Sequence, residues 1–273
     1  MQTESEVIFE STDEMTAPCR SGLEHLVTAL ADTKLLMGYH FGEWTFGTPE
    51  LEAAVASCSL AQSELGHVRL LQAILKRHYH LDPEQLVETR KASEFANVAS
   101  LDRPVQRWTG LVAMNFIVDL AVTRVLNALR GSAFKPLRMS VDKMIDEERY
   151  HIHHGQGWFR TLAARTDGTR ETLLERVHEA LEAVAVWLGP ADDAEDHALI
   201  DAGIKTHSNA DIWSAFMDDV GRAAGAAGVQ IAVTPPVSFT GWNPATRRLA
   251  PGGPDEEILY HLRGSKNEIF KRS

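Results

Sequence analysis

Cysteine is scarce. Cys19 and Cys58 are the only two in 273 residues, too few for a disulfide framework, and neither sits in a CxxC pair that would signal a redox or zinc site. Long apolar runs are missing: no window holds the roughly 18 consecutive apolar residues that span a bilayer. The acidic amino terminus has neither the basic nor the apolar region of a signal peptide. Positive charge is in deficit, with 27 Lys and Arg against 38 Asp and Glu and a net charge of −11. That balance disfavours nucleic acid, whose binding rests on cations neutralising phosphates, and it disfavours an anionic membrane surface. Runs of alternating polarity, the mark of half-buried strands, are also lacking. These absences leave a cytoplasmic, helical protein as the expectation.

What is present is helical periodicity. From Ser21 to about Phe46 the apolar residues Leu23, Leu26, Val27, Leu30, Leu35, Met37 and Phe41 recur at three- and four-residue steps. Thr48 and Pro49 are suited to cap and open a second long helix reaching about His80. A third run covers Val105 to Leu129, and a fourth goes from Lys135 to the stop at Thr166-Asp167-Gly168. Four long helices joined by short turns and one longer crossover describe a helical bundle. Two further helices are expected at about Glu171 to Leu188 and Asp192 to Ala227, the latter broken near His207. Residues 1–17 read as a flexible leader, 18–233 as the helical domain, and 234–273 as an extended proline-rich arm with a short helix and a basic tail, Arg263, Lys266, Lys271 and Arg272. Cys58 and Tyr150 read as core residues, and Trp242 as an interface anchor.

The chemistry is announced by a doubled spacing. Glu64-Leu65-Gly66-His67 lies in the second helix and Glu148-Arg149-Tyr150-His151 in the fourth. Residues three apart share a helix face, so each Glu-x-x-His presents a carboxylate and an imidazole to one point inside the bundle. Two such pairs, with carboxylates from the other two helices, form the ligand set of di-iron and di-manganese carboxylate proteins. On the third helix Asp119 is the only acidic residue between Asp102 and Asp142. A carboxylate in so apolar a run must be metal-bound or paired, with Arg124, Arg130 or His67 as the pairing alternatives. On the first helix, counting back from the turn near Thr48 puts Asp32 level with Glu64. Glu43 falls roughly 16 Å short of that level at 1.5 Å per residue. Lys34 stands at nearly the right height and brings a positive charge instead.

These motifs resemble the ferritin-like subunits of bacterial phenylacetyl-CoA epoxidase. Leu35 to Trp44 with Pro49-Glu50-Leu51-Glu52 is similar to the first hairpin of the structural subunit. Ser63 to His67, Ile117-Val118-Asp119, and Glu147 to His151 followed by His154-Gly155 look like the ligand segments of the catalytic subunit. The likeness spans roughly residues 22 to 265. It implies an all-α, ferritin-like four-helix bundle holding two iron ions, with manganese as the alternative, at Glu64, His67, Asp119, Glu148 and His151. Asp32 is the candidate sixth ligand, because Lys34 aligns with the catalytic subunit's first-helix glutamate. Glu64 and Glu148 would carry the reacting centre. The implied activity is a di-iron monooxygenase that activates O₂ and transfers one oxygen atom to the ring of an acyl-CoA substrate. A partner ferritin-like subunit, a separate reductase and a homo- or hetero-oligomer are implied with it. Two rival readings remain at this stage: a scaffold subunit with a degenerate site, and an iron-storage protein or manganese catalase.

Overall fold

Helix boundaries follow local chemistry. The computed structural model describes residues 8–231, 238–265 and 268. Helix α1, Ala17–Trp44, starts behind Thr16 with Pro18 in its first turn. Helix α2, Leu51–Tyr79, ends where His80 turns left-handed at φ 58° and the Leu81 amide donates back to the Leu75 carbonyl, a common way of satisfying the last carbonyls. Thr48 does not cap α2: its hydroxyl bonds the Glu50 carbonyl, and Glu50 occupies the capping position. Helices α3, Pro83–Glu88, α4, Trp108–Ala128, and α5, Lys135–Ala163, follow. The expected long helix after α6, Asp167–Leu188, is two helices, α7, Ala194–Asp201, and α8, Asn209–Ala226, and the break spans His207. A short α9, Glu256–Leu262, follows the arm.

The protein is all-α and ferritin-like. Helices α1 and α2 form one hairpin and α4 and α5 another, with α2 against α5 and α1 against α4 closing the bundle. The link 80–107 carries the chain back along the bundle, because α4 begins where α1 ends: the Trp44 indole donates to the Val105 carbonyl and packs against Trp108 at a tilt, ring centres 5.9 Å apart. Helices α6 and α8 flank α4. Enclosed in this way, α4 is buried although its length and hydropathy would suffice to cross a membrane.

Three expectations are corrected. Residues 8–16 are not a loose leader, because Phe9 exchanges backbone hydrogen bonds with Ala133 and Lys135 at the α4–α5 turn. Cys58 and Tyr150 are exposed, the latter at 76%, since helical spacing alone does not say which face meets a neighbour. Trp242 anchors within the chain, donating to the Val186 carbonyl and packing over Gly189, where a Cβ would lie 2.8 Å from its ring. The tail residues Lys266, Lys271 and Arg272 lie outside the described residues.

One buried group gives the fold a pH dependence. His40 is 1% exposed, its Nε2 lies 3.0 Å from the Leu101 carbonyl, and burial pushes its pKa down to about 4. Between about 6.5 and 4 the unfolded chain binds a proton that the folded one refuses, so stability is full above that range and falls by about 3 kcal/mol as pH drops through it. Urea unfolding at a series of pH values should show this slope, reduced in His40→Gln. An unchanged slope in the variant would assign it elsewhere.

Candidate metal centre

Helix α4 is apolar on nearly every side, yet Asn115, Asp119 and Thr123 recur at four-residue steps and so share one face. That face looks into the bundle. There Asp119 meets Glu64 and His67 of α2 and Glu148 and His151 of α5, all at most 1% exposed. Ligating atoms of Glu64, Asp119, Glu148 and His151 all lie within 4.8 Å of one another. His67 faces the same point, with Nδ1 3.4 Å from Glu148 and 3.9 Å from Glu64.

Lys34 enters from α1. Its Nζ is 2.5 Å from Glu148 Oε1, 3.0 Å from Glu64 Oε2 and 3.7 Å from Asp119 Oδ1. Burial alone would depress this ammonium, but the charges of Glu148, Glu64 and Asp119 prevail and hold its pKa above the ordinary lysine value. Burial raises Glu64 to about 7 against the pull of Lys34 and His151, and burial and Lys34 push His67 down to about 2. For His151 burial opposes protonation, yet Glu148, Glu64 and Asp119 outweigh it and its pKa stands well above the usual imidazole value.

Residues 1–244 match the phenylacetic acid catabolic protein family. The chain belongs to that family. No curated protein matches it. Family membership accords with the ferritin-like bundle and with a carboxylate and histidine cluster at its centre.

The structure brings together Glu64, His67, Asp119, Glu148 and His151 but not Asp32. Both oxygens of Asp32 are taken by the Arg90 guanidinium at 3.0 and 2.5 Å, and the Ala96 amide adds a third bond at 2.9 Å. Positions 32 and 34 lie two residues, about 200°, apart on the helix, so only one of them can face the centre. Of the pairing alternatives for Asp119, Arg124 pairs instead with Asp219 and Arg130 with Asp142, while His67 shares the cluster with it and feels its charge. Glu43 lies at the surface, its side chain 43% exposed, near His261.

Supporting residues surround the cluster. Glu147 accepts from Ser63 and holds His67 Nε2 at 2.8 Å, which turns Nδ1 inward. Asn115 donates to Asp119 Oδ2 at 2.6 Å and to the His151 carbonyl at 3.0 Å, while its oxygen faces His154 Nδ1 at 2.7 Å. Thr123 donates to Glu148 Oε2. His154 therefore supports the site through Asn115 and is not among the converging donors.

A pair of metal ions can be weighed against these contacts. Carboxylate and imidazole are donors that iron and manganese accept, and Glu64 Oε2, His67 Nδ1, Asp119 Oδ1 and both ring nitrogens of His151 have no hydrogen-bond partner. Glu64 Oε2 is within ion-pair distance of Lys34 but lacks hydrogen-bond alignment. Paired metals sit about 3.5–4 Å apart, however, and Lys34 Nζ already lies within 4 Å of all three carboxylates. The donors suit a metal, and the ammonium stands in the space a second one needs.

Proposed function

We propose that the chain is a ferritin-like subunit of a multicomponent aryl-CoA ring oxygenase of phenylacetate catabolism, acting in the cytoplasm as the structural partner of an O₂-activating subunit. The observation that carries the choice of role is Lys34, whose ammonium lies among Glu64, Glu148 and Asp119 where the chemistry of a metal pair would call for a fourth carboxylate. A separate reductase and an acyl-CoA substrate belong to the complex under this reading. The rival reading, a catalytic di-iron monooxygenase, is favoured by the five donor residues and by the unpartnered atoms on His67 and His151. There, Glu64, His67, Asp119, Glu148 and His151 would hold the metals, which when bound supply O₂ chemistry. The chain's own contribution would be to fix those donors through Glu147, Asn115 and Thr123 and to keep water out.

Anaerobic loading with ferrous iron separates the two. Wild type should hold fewer than two irons per chain and, given a chemical reductant, O₂ and phenylacetyl-CoA, should form no ring-oxidised product. Lys34→Glu, which supplies the fourth carboxylate, should rise to about two irons per chain. Two irons in the wild type with ring oxidation would return the chain to the catalytic role.

A further inference from the structure

The two sides of the cluster are not equivalent. On one side, Lys34 Nζ bonds Glu148 Oε1 and Glu64 Oε1, and Thr123 occupies the other Glu148 oxygen. On the other side, His151 Nδ1 lies 3.1 Å from Glu64 Oε1 and 3.6 Å from Asp119 Oδ2, without hydrogen-bond alignment to either. Neither ring nitrogen of His151 has a partner, although the residue is 1% exposed. Buried polar atoms are rarely left so. Glu64 Oε2 and Asp119 Oδ1 likewise have no hydrogen-bond partner, and an imidazole with carboxylate oxygens left unbonded around one point is what a cation between them would organise. The formal charge of the loaded site agrees: an imidazole must be neutral to ligate, and three carboxylates with one ammonium then leave −2, which one divalent ion neutralises and two would overshoot.

We infer that the bundle centre is a one-cation site, in which a single divalent metal sits among Glu64, Asp119 and His151 while the Lys34 ammonium takes the place of a second. Asn115 is the positioning residue on the metal side, since its amide spans Asp119 and the His151 carbonyl and fixes both donors against each other. Gly155 permits the approach, because a Cβ there would lie 3.0 Å from the Asn115 side chain and the Phe116 amide nitrogen. The inference goes beyond the proposed role in the complex and concerns stoichiometry, which that role does not specify.

Titration of the apo protein with Co²⁺, followed by visible absorption and calorimetry, tests it. The expected stoichiometry is one ion per chain for the wild type, two for Lys34→Glu, and none for His151→Gln and Asp119→Asn, each checked for helicity by circular dichroism. Should those variants fail to fold, the wild type still decides: Mn²⁺ should raise its melting temperature and saturate at one equivalent. No binding overturns the inference and leaves the structural role standing. Two equivalents in the wild type overturn the inference, and with ring oxidation they overturn the structural role as well. One equivalent surviving His151→Gln and Asp119→Asn places the ion elsewhere and overturns the inference, and one equivalent with ring oxidation overturns only the structural role.

Discussion

Replacing Lys34 by Met is expected to destabilise the metal-free protein by about 3–5 kcal/mol, the cost of removing one partner from a buried ionic group. The methionine fills similar volume, so little of the loss comes from a cavity. Charge dominates instead. With the ammonium gone, Glu64, Glu148 and Asp119 stand at most 1% exposed within a few ångströms of one another and His151 alone can compensate. Part of the penalty will be relieved by proton uptake at Glu64, whose pKa burial already raises to about 7. Divalent metal should restore more, since a cation can enter the space Lys34 vacates. Chemical denaturation of both proteins, with and without Mn²⁺, measures all three effects. A loss under about 1 kcal/mol would mean that the carboxylates are not held by Lys34.

That five of the six residues expected as ligands converge was readable because helical spacing is rigid. Glu64 with His67 and Glu148 with His151 share faces by geometry alone, and Asp119 stood out as the only acidic residue of its apolar helix. Asp32 shows where height fails as a criterion. It is level with the cluster, but the apolar stripe Leu23, Leu26, Leu30, Met37 and Phe41 runs through position 34 at three- and four-residue steps and leaves position 32 facing the crossover, where Arg90 meets it. The same stripe read with Lys34 included would have identified the residue that enters the centre. Asn115 and Thr123, four residues either side of Asp119, were legible in the same way, as the polar members of one face. Glu147 was not, because its role depends on how α2 packs against α5. Exposure of Cys58 and Tyr150 is likewise a property of neighbours, which spacing within one helix does not encode.

Arg248→Ala is expected to cost about 3 kcal/mol and to release the arm from the bundle. The arm turns at Arg247, which has a left-handed φ of 52°, and so directs two consecutive guanidinium groups to different targets. Arg247 donates to the Trp187 and Leu188 carbonyls at the end of α6 and lies over the Trp187 and Trp242 rings. Arg248 forms a two-pronged pair with Asp102 at 2.7 and 2.9 Å and also donates to Asn97. Such forked pairs have fixed geometry as well as charge, and this one is largely shielded, with side chains 7% and 14% exposed. Asp102 belongs to the crossover loop that also accepts His40 at Leu101, so the arm, the loop and α1 are held in series. A double-mutant cycle of Arg248→Ala with Asp102→Ala isolates the pair, with an expected coupling of about 2 kcal/mol. Proteolysis should show faster cleavage between residues 238 and 255 in the single variant while the bundle persists. A coupling near zero would mean that the arm is held by Trp242 and Arg247 alone, and Arg247→Ala would then carry the larger loss.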